Sequence, residues 1–296
     1  MALIQVFIAT YNRPTLVLNA IQSALNQDFD SFEVIVSDNS TNNETEILIS
    51  KVNNELLSYK RRRPSLPVID HLNAILQDVT SEYFMIFHDD DQMYSNMLQE
   101  LHKNIISNEQ IIAVGANARM ITSDIFPNRL MFKNKNRNLI IHNRNQMVFR
   151  YLIKRGIVPF PSYLYKNEVA KKIKLNPNNG GKHCDVAFMM EIASMGSVLL
   201  LIKPLMDYFI SPVQDSRIND FVHRISLINF ITKTSNYKNN SYLVKRLRIV
   251  NLYYEFLQDK NNKRPISYKR KLIILKMILK VSPFDFFPRA ILQLFI

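Results

Sequence analysis

The sequence predicts an α/β fold with a mostly parallel sheet flanked by helices, and three observations lead to this prediction. Apolar, strand-like runs alternate with helix-like segments over about the first hundred residues. Acidic residues follow several of these runs, at the sheet edge where open α/β folds bind their ligands. Only five glycines occur, and none precedes Gly115, so a glycine-rich phosphate loop or dinucleotide fingerprint is excluded.

The first strand is expected over residues 3–9, which are apolar apart from Gln5. Pro14 and Thr15 suit the start of the helix that follows. The further elements are expected as strands over 32–36 and 83–87, and as helices over about 45–56, 68–76, 186–193 and 217–258.

Three consecutive carboxylates, Asp89, Asp90 and Asp91, follow the strand at 83–87 with only His88 between. Adjacent carboxylates repel one another unless a positive charge lies among them. Hard oxygen ligands of this kind suit Mg²⁺ or Mn²⁺ that carries a phosphorylated substrate. The alternative is an acidic turn that caps the next helix.

Length and composition restrict the class of protein. The chain of 296 residues suits one large domain or a domain with an appendage. Its single cysteine, Cys184, allows no intrachain disulfide, which fits a reducing cytoplasm. A basic signal-peptide region and an apolar stretch long enough to span a bilayer are both lacking, so we expect a cytoplasmic protein.

Positive charge is concentrated at the C-terminus. From Tyr237 onward there are thirteen Lys or Arg and three Asp or Glu, so this segment carries +10 of the net +13. A basic, apolar helical pattern begins at Lys269, stops at Pro283 and gives way to an apolar terminus from Phe284. This pattern favours binding to an anionic membrane surface, on the inner face of the cell membrane.

The alternative for this tail is a helical hairpin that packs on the catalytic domain or on a second subunit. In the latter case the protein would be a homodimer. A nucleic-acid recognition motif is lacking, so nucleic acid is not an expected partner.

Four segments in the first hundred residues resemble the motifs of glycosyltransferase family 2, in the family's order. Residues 8–14, IATYNRP, resemble the opening motif, and residues 34–40, VIVSDNS, resemble the second. Asn73, and residues 80–84 followed by the three aspartates, have the family's spacing. The resemblance covers about residues 3–100.

This resemblance implies a GT-A fold and a metal-dependent, inverting transfer of one sugar from a nucleoside-diphosphate sugar, with UDP as the expected nucleotide. The acceptor would be a lipid-linked glycan or a surface polysaccharide. Residues 1–216 would form the catalytic domain, with a nucleotide-binding half over about 1–100 and an acceptor half over about 101–216. Residues 217–296 would form a basic helical extension.

The resemblance also implies particular site residues. Asp38 would contact the base, Asp89 would lie near the ribose, and Asp90 and Asp91 would bind Mn²⁺ or Mg²⁺, although a second register pairs Asp89 with Asp91. His88 stands where the family's first acid usually falls. The expected donor-binding residues are Ala9, Thr10, Tyr11, Arg13, Asp38, Arg63, Asp89 and Asp90.

The basic cluster at 60–63 could assist Arg13 at the base or the phosphates, and a solvated surface is the alternative. Asp185, after two glycines and before a helix, occupies the position of the family's general base. A plain helix N-cap is the alternative role for Asp185.

Three residues depart from the family pattern: His88, Cys184 in place of a Glu, and Ser211 in place of a His near the metal. His223 or Asp215 could substitute for that His. Because of these departures, a non-catalytic, membrane-bound assembly subunit is one rival interpretation. A sugar nucleotidyltransferase is another, although the glycine-rich N-terminal loop expected of that class is missing.

Overall fold

The structure is a computed structural model that describes residues 2–122, 129–132, 137–153, 156–210, 220–262 and 267–281. The chain forms two compact units. The first comprises Met1–Asn176 and Phe188–Pro212, and the second comprises Pro177–Ala187 and Val213–Ile296. Three sequence-based predictions lie outside the described residues: the domain boundary between residues 216 and 217, Ser211 in place of the family's His with Asp215 as its possible substitute, and the terminus from Pro283 onward.

The first unit alternates strands and helices along its N-terminal half. Its strands are β1 (Ile4–Thr10), β2 (Phe32–Asp38), β3 (Leu57–Arg61), β4 (Tyr83–His88), β5 (Gln92–Met93), β6 (Ile111–Ile121), β7 (Arg129–Leu130), β8 (Leu139–Ile141), β9 (Tyr163–Lys166) and β10 (Ser197–Phe209). Its helices are α1 (Pro14–Leu25), α2 (Glu44–Ile49), α3 (Val68–Asp78), α4 (Met97–Ile105), α5 (Arg144–Leu152) and α6 (Asn167–Lys172). Helix α7 (Cys184–Ile192) begins in the second unit and ends in the first.

The strands form one sheet in the order β3-β2-β1-β4-β9-β6-β10-β5, with β7 paired to β6 and β8 paired to β10. The first four strands of this order are parallel, and β10 is parallel to β6. The pairings of β9 with β4 and β6 are antiparallel. The predicted α/β class is confirmed: the strands of the N-terminal half are parallel, and the rest of the sheet is mixed.

The register of the parallel strands sets the positions of several predicted site residues. Thr10 at the end of β1 pairs with Asp38 at the end of β2, and Asp38 pairs with Arg61 at the end of β3. On the other side of β1, Ala9 pairs with His88 at the end of β4. The sheet therefore brings these strand ends together at its carboxyl edge, where open α/β folds bind ligands.

The core of the first unit lies around β1 and β4. Val6, Ile8, Met85 and Phe87 are completely buried. These four side chains share one face of the sheet, and Phe7, Phe84 and Ile86 on the opposite face are also buried, as expected for parallel strands covered on both sides. A packed core of this kind holds the adjoining strand ends in fixed positions.

The predicted helix over 45–56 is wrong in its second half. Helix α2 ends at Ile49, and the chain then turns and enters strand β3 at Leu57. Asn54 accounts for the turn, because its Oδ1 accepts a hydrogen bond from the backbone N–H of Leu56 at 2.9 Å. Two consecutive asparagines, Asn53 and Asn54, are also poor helix formers.

The second unit is helical, with α8 (Phe221–Thr234), α9 (Tyr242–Asn261) and α10 (Tyr268–Val281). The helical segment predicted over 217–258 is interrupted, because α8 ends at Thr234 and α9 begins only at Tyr242. Apolar residues of α9 and α10 pack together, including buried Ile249, Phe256 and Ile274. Within the described ranges, helices that combine the length and apolar character required to cross a bilayer are absent.

Candidate active site

Asp89 is held by Thr10, the last residue of β1, and by Arg13, just before α1. The Thr10 hydroxyl donates a hydrogen bond to Asp89 Oδ2 at 2.7 Å, and Arg13 Nη1 lies 3.1 Å from Asp89 Oδ1. The same Arg13 nitrogen is 3.3 Å from Asp90 Oδ2, although almost half of the Arg13 side chain remains exposed. One arginine therefore partly neutralises two of the three adjacent carboxylates.

Asp91 is the most deeply buried of the three, with 1% of the residue exposed. Its Oδ1 accepts a hydrogen bond from the backbone N–H of Phe209, at 2.9 Å. Its Oδ2 is buried and has no hydrogen-bond partner among the described residues. His88 Nδ1 lies 3.7 Å from this oxygen.

His88, Asp90 and Asp91 can each present one ligand atom, and these three atoms lie within 4.8 Å of one another. Such a cluster has the spacing and the donor types that a divalent cation requires. The predicted metal ligands Asp90 and Asp91 therefore lie together, and His88 joins them. In the sequence, His88 stands where the family usually has its first acidic residue, but that position alone did not predict His88 as a metal ligand.

Burial dominates the protonation of this cluster. Burial, and next the charge of Asp90, raises the pKa of Asp91 to about 8. Burial also raises the pKa of Asp89, although the Thr10 hydrogen bond opposes the shift. For His88, burial lowers the pKa below its usual value. With Arg13 as its cation, the cluster does not favour simultaneous ionisation of all three aspartates.

Asp38 is fully buried and already engaged by three donors. Its Oδ1 accepts from the Ser40 backbone N–H at 2.8 Å, and its Oδ2 accepts from the Tyr59 hydroxyl at 2.6 Å and from Arg61 Nη1 at 3.0 Å. Arg61 Nη2 also donates to the backbone carbonyls of Ser40 and Asn42, at 2.8 and 2.5 Å. Asp38 and Arg61 together fix the loop after β2, and contact between Asp38 and a base stays a prediction.

The basic cluster at 60–63 is distributed among several carboxylates. Lys60 Nζ lies 2.5 Å from Asp78 Oδ1, and Arg62 binds the other oxygen of Asp78. Arg63, a predicted donor-binding residue, lies 3.3 Å from Glu46 and has 65% of its side chain exposed. Each of these cations has a partner, and a phosphate-binding role for Arg63 stays a prediction.

Asn12 connects the loops after β1 and β2, and sequence reasoning missed it. Its backbone N–H donates to Ser40 Oγ at 2.8 Å, and its Oδ1 accepts from the Thr41 backbone N–H at 3.0 Å. Asn12 adopts φ of 52°, which asparagine tolerates better than most residues. Beside it, Tyr11 is half exposed at the sheet edge, where a planar ligand could contact its ring.

Asn73 forms two reciprocal hydrogen bonds with the backbone of Leu175. Its Nδ2 donates to the Leu175 carbonyl, and its Oδ1 accepts from the Leu175 N–H, both at 2.9 Å. Asn73 therefore positions the segment just before residue 177. This contact gives a structural reason for the asparagine that the motif contains.

In the second unit, Asp185 lies in the first turn of α7 and is half-buried. Burial raises the pKa of Asp185 to about 6, and backbone hydrogen bonds oppose the shift. A base near neutrality suits general-base catalysis. Burial raises the pKa of the adjacent Cys184 thiol to about 12, so this residue is a poor nucleophile.

His223, the alternative metal or diphosphate residue, lies in the second unit on α8. Its Nδ1 is 2.9 Å from Asp220 Oδ2 and 3.4 Å from the Lys182 backbone nitrogen. Its ring covers Gly181, where a Cβ would lie 2.2 Å from ring atoms. Gly181 therefore leaves room for the imidazole beside the turn that leads to Asp185.

Two solved structures with a similar fold identify the fold of this chain. S. aureus TarS residues 1–349 in complex with UDP-GlcNAc superpose with a TM-score of 0.55 at 16% identity, over 97% of this chain and 75% of that one. Mannosyltransferase PcManGT from Pyrobaculum calidifontis, in complex with GDP-Man and Mn²⁺, gives a TM-score of 0.51 at 14% identity, over 99% and 72%. The fold is thus that of the GT-A glycosyltransferases.

The family follows from the sequence comparisons. The model of the glycosyl transferase family 2 matches residues 5–173, more than half of the chain, and the protein belongs to that family. A relative from Campylobacter jejuni subsp. jejuni serotype O:2, GalNAc(5)-diNAcBac-PP-undecaprenol beta-1,3-glucosyltransferase, is 28% identical over 101 residues. That match spans 33% of this chain and 33% of the relative.

Proposed function

We propose that this glycosyltransferase moves one sugar, with inversion, from a nucleoside-diphosphate sugar to a lipid-linked glycan or a surface polysaccharide. UDP is the proposed nucleotide, and Mn²⁺ or Mg²⁺ the proposed ion. The observation that carries the proposal is the cluster of His88, Asp90 and Asp91 at the carboxyl edge of a GT-A sheet. Neighbours that hold UDP-GlcNAc, or GDP-Man with Mn²⁺, support a nucleotide-sugar donor.

The residues present fit a divalent ion. The buried Oδ2 of Asp91 has no hydrogen-bond partner among the described residues, and a bound cation would satisfy it. Asp90 and Asp91 would hold the ion, which would neutralise charge on the departing diphosphate. Arg13, which lies beside Asp89 and Asp90, would add a guanidinium for the phosphate oxygens.

Thr10 and Arg13 fix the orientation of Asp89, which we assign to the ribose hydroxyls. The exposed Tyr11 ring and the loop held by Asp38 and Arg61 would form the surface for the base. This assignment requires the loop to be preorganised, and its buried ion pair and Asn12 contacts supply that order.

Asp185 is our proposed general base. Its carboxylate would take the proton of the acceptor hydroxyl while the acceptor oxygen attacks the anomeric carbon. The bond from that carbon to the diphosphate breaks, and the nucleoside diphosphate leaves with the electron pair. A single displacement of this kind inverts the anomeric centre.

The second unit would bind the inner face of the cell membrane and so approach a lipid-linked acceptor. A cavity of about 480 Å³ beside α9 and α10 is lined by Lys245, Arg248 and Lys280 together with Tyr242, Ile249 and Met277. Cations beside apolar side chains suit an anionic headgroup and its acyl chain. The name of the Campylobacter jejuni relative specifies an undecaprenol-linked diphosphate substrate for that protein.

The experiment for the transferase is donor hydrolysis, and transfer to a lipid-linked acceptor, with UDP- and GDP-sugars in the presence of Mn²⁺ or EDTA. We expect cleavage of a UDP-sugar that EDTA abolishes. Full activity in EDTA would contradict the metal role, and no binding of any nucleoside diphosphate would favour a non-catalytic subunit.

The experiment for the membrane role is cosedimentation with vesicles of phosphatidylglycerol or phosphatidylcholine. We expect binding to the anionic vesicles only, weakened in the triple variant Lys245→Glu, Arg248→Glu, Lys280→Glu. The matched control is the triple variant Lys51→Glu, Lys103→Glu, Lys171→Glu, which reverses three exposed cations of the first unit and changes the net charge equally. Equal loss in the control would indicate a general charge effect and contradict a role for the cavity.

A further inference from the structure

We infer that His88 is a metal ligand, so that this glycosyltransferase holds its ion through one imidazole nitrogen and two carboxylates and favours transition metals over Mg²⁺. The inference rests on the proposed metal-dependent function and adds the identity of a ligand atom. Neither the family match nor the similar structures assign this role to His88.

The distance between His88 and Asp91 is that of two ligands on one ion. At 3.7 Å, Nδ1 of His88 and Oδ2 of Asp91 are too far apart for a good hydrogen bond. Two atoms that each lie about 2.1 Å from an ion are separated by roughly 3.0–4.2 Å, for angles between 90° and 180°. The observed separation falls inside this range.

Asp91 supplies an independent observation. Its side chain is completely inaccessible to solvent, yet Oδ2 lacks a hydrogen-bond partner among the described residues. Its other oxygen, Oδ1, accepts a hydrogen bond from the backbone N–H of Phe209. This bond fixes the orientation of the carboxylate and therefore the position of Oδ2. A bound cation would satisfy this buried oxygen, and Nδ1 of His88 lies beside it.

His88 itself is held in place by the sheet. It is the last residue of β4, in register with Ala9 of β1, and its ring lies 6.1 Å from the ring of Phe160. Its side chain is about one-third exposed, so an ion and its remaining ligands can reach it. Asp90 offers a third ligand atom near these two, and all three atoms lie within 4.8 Å of one another.

An imidazole ligand changes the choice of ion. Mg²⁺ prefers oxygen ligands, whereas imidazole suits transition ions such as Zn²⁺ and Fe²⁺ and is accepted more readily by Mn²⁺ than by Mg²⁺. The acid that usually occupies this position in the family would give an all-oxygen set. We therefore expect replacement of His88 by aspartate to reduce the preference for Mn²⁺ over Mg²⁺.

The test is electron spin echo envelope modulation of Mn²⁺, added below stoichiometry to concentrated protein without donor or acceptor. We expect ¹⁴N modulation in the wild type, its loss in His88→Asn, and its retention in His142→Asn, an exposed histidine of the same unit. Circular dichroism and melting temperature establish that each variant is folded. Absence of ¹⁴N modulation in the wild type, or its persistence in His88→Asn, would overturn the inference.

A titration with each metal alone measures the selectivity. His88→Asn should weaken Mn²⁺ binding by at least about tenfold and Mg²⁺ binding much less. His88→Asp should bring the two affinities closer together, and an unchanged Mn²⁺ to Mg²⁺ ratio in both variants would also overturn the inference. These readouts need no sugar transfer, so an inactive protein with a nitrogen-bound Mn²⁺ would refute the proposed function alone.

Discussion

Asp38 and Arg61 form a buried ion pair across the register of β2 and β3, with Arg61 Nη1 at 3.0 Å from Asp38 Oδ2. The Asp38 side chain is inaccessible to solvent, and 11% of the Arg61 side chain is exposed. Burial raises the pKa of Tyr59 to about 12, so its hydroxyl remains a donor to the same oxygen. This network orders the loop that we assign to the nucleotide.

Replacement of Arg61 by methionine should destabilise the protein strongly. The change leaves the Asp38 carboxylate buried without its counter-ion, which costs about 3–5 kcal/mol of unfolding free energy. Urea unfolding measures the effect. Arg63→Met, which removes the exposed pair with Glu46, is the matched control and should cost about 1 kcal/mol or less. Equal costs for the two variants would refute the importance of the buried network.

Asp90→Asn should remove the response to metal while the fold survives. The carboxylate is exchanged for a neutral amide of the same shape, so one charged ligand of the ion is lost. We expect transfer in Mn²⁺ to fall at least about a hundredfold, because metal stabilisation of the leaving group amounts to several kcal/mol. Asp30→Asn, an exposed carboxylate of the first unit, should behave as the wild type. Wild-type kinetics in Asp90→Asn would shift the metal role to Asp89 and Asp91.

If Asp185 is the general base, the rate of transfer should fall at acidic pH. A general base acts only when ionised, so kcat should decline as the pH falls through about 6, the raised pKa of this carboxyl. Asp185→Asn should abolish transfer and leave binding of UDP, measured by calorimetry, nearly unchanged. A rate that stays constant down to about pH 5 would contradict the role of base.

The raised pKa of Asp185 should also make the free energy of unfolding depend on pH. Because its pKa is raised from 3.8 in the unfolded chain to about 6, the folded state binds the proton more tightly. This contribution to stability is present below about pH 4 and is lost as the pH rises through about 6. The difference in unfolding free energy between the wild type and Asp185→Asn, measured over this window, should follow that curve. A difference independent of pH would show that burial does not perturb Asp185.

Asn73→Ala should loosen the segment that ends at Leu175. The substitution leaves one N–H and one carbonyl of the Leu175 backbone without their partners, at a cost of about 1–3 kcal/mol for each group that stays buried. Asn53→Ala, at an exposed asparagine, should change the free energy of unfolding by less than about 0.5 kcal/mol. A similarly small change in the free energy of unfolding in both variants would mean that water replaces the two hydrogen bonds of Asn73.

The sequence alone determined the fold class, the family and most of the parallel half of the sheet. β1, β2 and β4 were predictable because each is a mostly apolar run, interrupted only by Gln5 in β1 and Glu33 in β2, that ends in polar residues. β3 was not, because Leu57–Arg61 is short and alternates half-buried with exposed positions. Its last two residues, Lys60 and Arg61, also open a basic cluster that resembles a solvated surface loop. The period of two from Leu57 through Tyr59 to Arg61 was the signal that could have identified it.

Only the tertiary structure decided which site residues meet. The ion pair of Asp38 with Arg61 depends on the register of two strands separated by a helix, and a shift of one residue would turn Arg61 to the other face. The orientation of Asp91 depends on the backbone of Phe209, which is more than a hundred positions away in the chain. His88 was visible in the sequence only as a missing acid. Its role as a nitrogen ligand became apparent because folding buried Asp91 Oδ2 beside it without any other partner among the described residues.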